Sequence, residues 1–291
     1  MLRALRLAGD VVRQALKYAI DLAQPGTPVL EICERVEKLI RGSGAKPAFP
    51  VNVGVNEVAA HYTAKRNDVL MVPRVGVVKI DVGVQRDGYI VDAAVTVALG
   101  SPFEGLVRAA REALRVALEA ARPGVKAWQI GMAIERAAKR FGFRPVYNLT
   151  GHRIERYTIH AGDVVPNYPD TSASQALKPG DIYAIEPFVT NGEGFVTERG
   201  EITIYRLTQT RRKEFRRLID IVRAEAGPLP FSPRWFPQID DADIAAAHRA
   251  GVLHGYEVLV ERSGGFVAQF EETVYVDEDS VILLADTLEL L

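Results

Sequence analysis

The chain has 291 residues, a formal net charge of −1, 48% hydrophobic residues and 25% charged residues. This composition is typical of a globular protein and argues against disorder, and the near-zero net charge gives no general reason to bind nucleic acid or an acidic membrane. The only cysteine, Cys33, excludes an internal disulfide and a zinc site built on several cysteines, and it is expected to be a small buried hydrophobe.

Two helices are predicted at the start of the chain. Helical periodicity covers residues 3–23. Charged residues interrupt this segment, so it lacks the uninterrupted apolar region of a signal peptide. Thr27 and Pro28 then predict the N-cap and first turn of a helix that runs to about Gly42. No stretch reaches the length of a membrane span, so a cytoplasmic location is expected.

The same order of elements returns from about Pro102, which indicates an internal duplication. A Pro-Gly breaker between two helices occurs at 25–26 and again at 123–124, a separation of 98 positions. Lys-Pro at 46–47 and Arg-Pro at 144–145 are also separated by 98 positions. Strand-like segments follow in both halves, so the chain is predicted to be an α/β (α+β) protein built from two helix-helix-strand-strand units.

An insertion interrupts the second unit. About eighty residues separate its last two strand-like segments, and they contain a charged helix, a Pro-rich stretch and another helical pattern. We therefore expect a main domain of residues 1–193 and 263–291 and a small inserted helical subdomain of residues 194–262. The basic run in the first inserted helix is best explained as a solvated helix face.

Acidic residues follow the same duplicated plan. A turn at residues 86–88 predicts a hairpin, and a two-residue turn places Asp81 and Asp92 on one face, directly opposed or diagonal. Like charges so placed destabilise a buried strand pair, and a divalent cation would compensate them. Exposed aspartates at strand ends are the alternative, although the flanking residues are apolar.

The second half contains a matching acidic pair. Glu186 occupies nearly the same register after Gly180 that Asp81 occupies after Gly76. Its partner is Glu271 or Glu272, and strand alternation favours Glu271 because it shares a face with polar neighbours. Four converging carboxylates would balance the charge of two divalent cations, and one imidazole would complete the ligand set. Such oxygen-rich ligation is typical of open Mn, Fe or Co sites rather than of a closed structural zinc site.

The segment GHRIERYTIHAG at 151–162 contains two of the five histidines. It is predicted to be extended, and alternation would direct His152 and His160 into one cleft. On this segment alone, two unrelated histidines at strand ends are the simpler explanation.

The sequence as a whole resembles the methionine aminopeptidase family, and more narrowly its type 2 branch. The resemblance rests on AFP at 48–50, AAHYT at 59–63, IDVG at 80–83, the 151–162 segment, AIEPF at 184–188 and AQFEET at 268–273. It implies an internally duplicated "pita-bread" fold with a curved antiparallel sheet and a helical insertion. Without a long charged N-terminal extension, the chain is expected to be of the archaeal-like form.

The resemblance also implies the site and the reaction. The implied ligands of two divalent metal ions (Co, Mn or Fe) are Asp81, Asp92, His152, Glu186 and Glu271. A metal-bridging hydroxide would attack the peptide, Glu186 would transfer the proton, and His61 and His160 would bind the scissile peptide. Phe49, Ile159 and Tyr256 match positions that line the methionine pocket.

The implied substrate is the N-terminal methionine of nascent polypeptides with a small second residue. A monomer without membrane or specific nucleic-acid partners is expected, and ribosome association stays open. Two alternatives are an Xaa-Pro dipeptidase, which typically adds a large N-terminal domain, and a non-enzymatic binding protein of the same fold. Two departures from the family pattern are Ala64 for Pro, expected to loosen the loop of His61, and Glu272 for His, expected to add charge beside the site.

Overall fold

The computed structural model describes residues 1–291. Its first four helices pack as two consecutive pairs, and two further helices lie within the insertion. The helices are α1 Leu2–Leu22, α2 Val29–Gly42, α3 Glu104–Ala120, α4 Ala127–Arg140, α5 Arg216–Glu225 and α6 Asp241–Arg249. The predicted helices are present, but α2 begins one residue later than expected because Pro28, in extended conformation, occupies the N-cap position in place of Thr27. None of the helices has the length and apolarity required to cross a membrane.

Fifteen short or medium strands form four antiparallel sheets. In the first half they are β1 Lys46–Pro47, β2 Asn52–Val55, β3 Val58–Ala60, β4 Gly76–Arg86 and β5 Tyr89–Leu99. In the second half and the insertion they are β6 Arg144–Pro145, β7 Thr150–Ile154, β8 Val164–Pro166, β9 Ile182–Ile185, β10 Phe188–Thr190, β11 Val196–Leu207, β12 Leu253–Glu261, β13 Val267–Gln269, β14 Glu272–Val276 and β15 Val281–Leu283.

The main core lies between the first two helix pairs and the strands. It contains 62 buried hydrophobic residues, many of them alanine, valine, isoleucine and leucine on the inner faces of α1 to α4. Cys33 is one of them, and burial raises the pKa of its thiol to about 11. The residue is therefore a packed core thiol, as expected, and has no nucleophilic character.

Strands β4 and β5 form the predicted hairpin with a two-residue turn. Arg86 pairs with Tyr89, and the turn residues Asp87 and Gly88 both have positive φ angles, of 54° and 83°. Such φ angles match the right-handed twist of a hairpin. Asp81 pairs with Ala94 while Asp92 pairs with Gly83, so the two aspartates are diagonal neighbours on one face.

The second half repeats this plan with interrupted strands. In both halves the short Pro-containing strand joins the hairpin, since Pro47 pairs with Val84 and Pro145 pairs with Val189. The long strands of the first hairpin are each replaced by two pieces, β9 with β10 and β13 with β14. Glu186 and Glu271 lie within these interruptions, so their main chains are outside the ladders that pair β9 with β14 and β10 with β13.

The segment 194–262 contains more than the helices expected there. Strands β11 and β12 pair along its two edges, and β12 continues the sheet onto β3 of the first half. Helices α5 and α6 pack on this strand pair around a separate hydrophobic cluster of 11 buried residues. An α+β insertion with its own small core is therefore attached to the main body through strand pairing.

The segment 151–162 is not one continuous strand. Strand β7 ends at Ile154, and a tight turn follows in which Tyr157 has a φ of 59°. Glu155 and Thr158 close this turn with two main-chain hydrogen bonds of 2.9 Å. His152 therefore lies on a strand and His160 on the returning loop.

Candidate active site

A cleft at the junction of the two halves and the insertion brings together all ten residues singled out in the sequence. It is lined by fifteen residues, and the ten predicted ones are Phe49, His61, Asp81, Asp92, His152, Ile159, His160, Glu186, Tyr256 and Glu271. The other five are Asn52, Ala60, Phe188, Ile204 and Pro230. Residues from distant parts of the chain thus form one concave site, which is a common feature of catalytic pockets.

The four carboxylates converge on the floor of this cleft. Asp92 and Glu271 are buried, with 4% and 1% of their surface exposed, whereas Asp81 and Glu186 are partly buried. Asp92 and Glu271 belong to different halves. Ala94, two residues after Asp92, pairs with Glu271 in an isolated main-chain bridge. The two acidic pairs therefore meet where the halves join.

His152 completes this cluster. Its Nε2 lies 3.5 Å from Glu186 Oε1 and 3.7 Å from Asp92 Oδ2. Potential ligand atoms of His152, Asp92 and Glu271 all lie within 4.8 Å of one another. Burial, and then the positive charge that His160 can carry, lower the pKa of His152 to about 3. The imidazole is therefore neutral near pH 7, which is the form that binds metals.

The carboxylates cannot all ionise without positive charge beside them. Burial raises the pKa of Asp81 to about 7. Burial, followed by repulsion from neighbouring carboxylates, raises the pKa of Asp92, Glu186 and Glu271 well above their usual range. Like charges confined in a buried site are stabilised by cations or by protons.

The donor set fits divalent metal ions. Asp81 Oδ1, Asp92 Oδ1 and Glu271 Oε1 are buried and receive no hydrogen bond from the protein. Buried polar atoms are normally paired, so oxygens left free in this position are available to a cation. Carboxylate oxygens with one imidazole form a ligand set that suits Mn, Fe or Co.

Gln269 is a contributor that sequence reasoning missed. Its Nε2 donates hydrogen bonds to Glu186 Oε2 at 3.3 Å and to Glu271 Oε2 at 3.2 Å. The side chain is buried, so both bonds are protected from water. Gln269 therefore orients one oxygen of each carboxylate and leaves the other oxygen to face the cluster. The signal in the sequence was the spacing of Gln269 and Glu271, because residues two positions apart in a strand lie on the same face.

His61 and His160 line the same cleft as the carboxylates. The His160 ring contacts the His152 ring edge to face, with centroids 4.4 Å apart, and is open to the cleft. His61 has a φ of 64°, and its Nδ1 lies 3.2 Å from the carbonyl oxygen of Glu257. Desolvation by the surrounding protein lowers the pKa of both rings, so both are neutral near pH 7. The single N–H of His61 is donated from Nδ1 to Glu257, which leaves its Nε2 as an acceptor, whereas His160 can donate one N–H to the cleft.

The insertion holds His61 in this strained conformation. Thr203 of β11 donates a hydrogen bond to the carbonyl of His61 at 3.3 Å and accepts one from the amide of Thr63 at 3.2 Å. A non-glycine residue at positive φ requires such support from its surroundings. The contacts to β11 and β12 therefore determine where the His61 ring lies.

The apolar part of the cleft is formed by Phe49, Ile159 and Phe188, together with Tyr256 at its edge. A Cβ on Gly83 would lie only 2.1 Å from the Phe49 ring, so the glycine in the hairpin makes room for this aromatic wall. Phe188, Ile204 and Ala60 were not predicted, because each is an ordinary apolar strand residue in sequence. The wall is adjacent to the carboxylates, so an apolar side chain and a reacting bond can be bound side by side.

The two departures from the family pattern lie next to the site, and both residues are fixed by hydrogen bonds. Glu272 does not face the cleft, since its carboxylate accepts hydrogen bonds from the amides of Leu284, Ala285 and Thr287. Its charge still raises the pKa of the neighbouring Glu271. Ala64 is buried, and its carbonyl accepts a 3.0 Å hydrogen bond from Arg234, so the loop after His61 is fixed by the insertion.

Comparison with known proteins agrees with this architecture. A methionine aminopeptidase of Archaeoglobus fulgidus is 46% identical over 274 residues, which cover 93% of this chain and 94% of that protein. A methionine aminopeptidase of Pyrococcus horikoshii is 42% identical over 287 residues, which cover 96% of this chain and 97% of that protein. The solved structure of a thermophilic Arx1 matches with a TM-score of 0.85 at 19% identity, covering 97% of this chain and 90% of that chain, and indicates shared fold only.

The sequence model of metallopeptidase family M24 matches residues 3–278, which include both acidic pairs, the histidines and the insertion. With this match and the relatives above, the chain belongs to metallopeptidase family M24 and has the pita-bread fold.

Proposed function

We propose that the protein is a metal-dependent methionine aminopeptidase that removes the N-terminal methionine from new polypeptides with a small second residue. The observation that carries the proposal is the meeting of four carboxylates and a neutral imidazole beside an apolar wall, in a chain whose relatives are named methionine aminopeptidases. We place this activity in the cytoplasm and assign it to a monomer.

Asp81, Asp92, His152, Glu186 and Glu271 are the proposed ligands of two divalent ions, with Co, Mn and Fe as the candidates. Four carboxylate charges balance two such ions, which removes the repulsion within the buried cluster. When bound, the ions supply a nucleophilic water at neutral pH and polarise the scissile carbonyl.

The remaining steps are assigned to side chains of the cleft. Glu186 is partly exposed at the floor, where it accepts the proton of the attacking water and passes it to the leaving amine. His160, neutral and open to the cleft, donates a hydrogen bond to the oxygen on which negative charge develops. His61 accepts a hydrogen bond from the peptide nitrogen through Nε2 and orients the scissile bond.

The apolar wall of Phe49, Ile159 and Tyr256 is the proposed site for the methionine side chain. Methionine is flexible and polarisable and makes favourable contacts with aromatic rings, so it suits a wall that carries Phe49 and Tyr256.

The test is release of free methionine from a Met-Ala-Ser peptide by protein stripped with a chelator and then supplied with Mn or Co. An Xaa-Pro dipeptide is measured beside it. Metal-dependent release of methionine supports the proposal. Cleavage of the Xaa-Pro dipeptide alone would replace it with a dipeptidase, and no cleavage of either substrate by protein with two bound metals would exclude the aminopeptidase activity.

A further inference from the structure

A second cavity opens beside the candidate active site. Its volume is about 210 Å³, and it shares four lining residues with the first, namely Ile159, His160, Pro230 and Tyr256. The two spaces are therefore adjacent parts of one cleft. A peptide whose first residue lies in the active site must extend outward, and this cavity is a continuation that it can enter.

The walls of this second cavity combine polar and apolar side chains, and two of its nine lining residues are prolines. One wall is the turn at Tyr157 and Thr158 that follows β7, and the other is the Pro-rich segment Pro228–Pro230 of the insertion. Proline fixes its own φ angle and has no N–H to donate. Pro228 and Pro230 therefore offer no main-chain donor to a ligand on their side of the cavity.

Arg206 provides the only formal charge among the residues that line this cavity. It lies on β11 and is partly buried, and its Nε donates a 3.1 Å hydrogen bond to the Tyr256 hydroxyl. No carboxylate of the protein forms a salt bridge with it, in contrast to Arg234 of the same insertion, which pairs with Glu37. The Nε contact fixes the guanidinium plane while its two Nη groups stay free to donate.

From this geometry we propose that the second cavity is a specificity subsite in which Arg206 binds a carboxylate of the substrate downstream of the scissile bond. A guanidinium oriented through Nε presents two parallel N–H groups, which match a carboxylate. In an extended peptide, side chains point alternately to opposite sides, so the third or fourth residue can reach a cavity next to the active site. The inference rests on the aminopeptidase activity proposed above.

Two carboxylates have this chemistry, an acidic side chain at the third or fourth position and the C-terminal carboxylate of a short peptide. C-terminally amidated peptides separate them. One pair is Met-Ala-Glu-Ser-amide against Met-Ala-Gln-Ser-amide, a second pair moves Glu or Gln to the fourth position, and a third compares Met-Ala-Ser as free acid and as amide. The readout is the ratio of kcat/KM within each pair.

We expect at least one pair to favour the carboxylate by about threefold to tenfold, mainly through KM, because the ion pair is partly screened by solvent. Raising the NaCl concentration from about 0.05 M to about 0.5 M should reduce this ratio. Arg206→Gln should bring the ratio close to one. Arg211→Gln, which removes the same charge from an exposed position outside the cavity, should leave the ratio as in the parent protein.

The pattern of ratios identifies the source of the carboxylate. Preference in a Glu pair assigns the subsite to a side chain, and preference only in the free-acid pair assigns it to a peptide terminus. Methionine release with a ratio of one in all three pairs, or a preference that persists in Arg206→Gln, overturns the subsite while the aminopeptidase activity stands. No methionine release from any peptide overturns the activity and the subsite together.

Discussion

Ala94 and Glu271 exchange two main-chain hydrogen bonds, of 2.9 Å and 3.4 Å, across the boundary between the two halves of the fold. The hydroxyl of Thr273 continues this pairing on one side by bonding to the main chain of Asp92, and the hydroxyl of Thr96 continues it on the other. The three contacts share one antiparallel register. The two acidic pairs are therefore held in place by a short ladder, part of which consists of threonine side chains.

Replacement of Thr273 by valine tests this ladder. The hydroxyl accepts from the Asp92 amide at 2.8 Å and donates to the Asp92 carbonyl at 2.6 Å, and valine preserves the shape while removing both bonds. Leaving two buried main-chain groups unpaired should cost about 1–3 kcal/mol of unfolding free energy, measured by denaturant titration. Weaker Mn binding should follow, because the two hydrogen bonds that fix the main chain of Asp92 are lost.

Thr96→Val serves as the comparison, since its hydroxyl makes equivalent bonds to the main chain of Gln269. A similar loss of stability with a smaller loss of Mn affinity is expected. Equal Mn affinity for Thr273→Val and the parent protein would show that Asp92 is positioned without this contact.

Replacement of Gln269 by leucine tests whether this amide orients the carboxylates. The variant loses both donors to Glu186 and Glu271 while the volume stays similar. Partners that orient metal ligands typically contribute about 10-fold to 100-fold in affinity, so Mn or Co binding measured by calorimetry should weaken by about that factor. Gln209→Leu, at an exposed position in the insertion, is the matched control and should bind metal normally. An unchanged affinity in Gln269→Leu would contradict the orienting role.

Local patterns predicted the acidic pairs well, because the face on which a hairpin residue lies depends only on its distance along the chain from the turn. Asp81 and Asp92 are diagonal, as a two-residue turn requires. Alternation also selected Glu271 over Glu272, although the strand is interrupted at this point. His152 and His160 meet, but through a turn centred on Tyr157 that the alternation pattern did not include.

Contacts between distant segments could not be predicted in this way. The bond from Arg234 to Glu37 joins positions 197 apart, and no periodicity relates a Pro-rich loop to the inner face of α2. The strand content of the insertion was missed for a similar reason, since β11 pairs with β12 across two helices. Such contacts depend on tertiary packing, which overrides local propensity.

The metal-free protein is expected to lose stability as the pH rises from about 6.5 to about 8. The pKa of Asp81 is about 7 when folded and 3.8 ordinarily, so the folded state retains a proton that the unfolded chain has released. This contribution is fully present below pH 3.8 and is lost as the pH rises through about 7. For Asp81 alone it amounts to about 4 kcal/mol at most, and the other three carboxylates act in the same direction.

Two groups oppose this trend within different windows. The pKa of His152, about 3 when folded and 6.5 ordinarily, affects stability only below pH 6.5. Lys79, whose pKa burial lowers to about 7, adds stability as the pH rises above this value. Above about pH 7 Asp81 no longer contributes, and the lysine is opposed by the three other carboxylates, whose pKa values are raised well above their usual range, so a negative net slope is expected.

Calorimetric Tm values of chelator-treated protein at pH 6.5 and pH 8 measure this slope. Saturating Mn should reverse the trend, because metal binding displaces protons and therefore stabilises more strongly at higher pH. A metal-free Tm that rises over this interval would show that the carboxylates are not protonated in the folded state.

His160→Ala should lower kcat for methionine release by about 10²-fold to 10³-fold, the usual effect of removing one donor to a developing oxyanion. Metal content should not change, because His160 contacts the proposed ligand His152 only through an edge-to-face packing of the rings. His248→Ala removes a histidine of the insertion that lines neither cavity, and it should retain the parent kcat. Loss of bound metal in His160→Ala would instead make this residue a support for the metal centre.

Glu37 forms a buried contact between the main body and the insertion, close to the loop of His61. Its carboxylate accepts a bidentate pair of hydrogen bonds from Arg234, at 2.7 Å and 2.9 Å, and a further bond from the Trp235 indole at 2.8 Å. The side chains of the ion pair are only 4% and 5% exposed. Arg234 in turn donates to Thr63 and Ala64, the second and third residues after His61.

Glu37→Gln should cost about 3–5 kcal/mol of unfolding free energy, because it leaves the Arg234 charge buried without its partner. Glu31→Gln breaks the exposed pair with Arg35 on the same helix and should cost less than about 1 kcal/mol. If Arg234 also positions His61, the folded Glu37→Gln protein should show a lower kcat with bound metal unchanged, since the loop at positive φ loses its support. A destabilised variant with the parent kcat would limit the ion pair to holding the insertion on the main body.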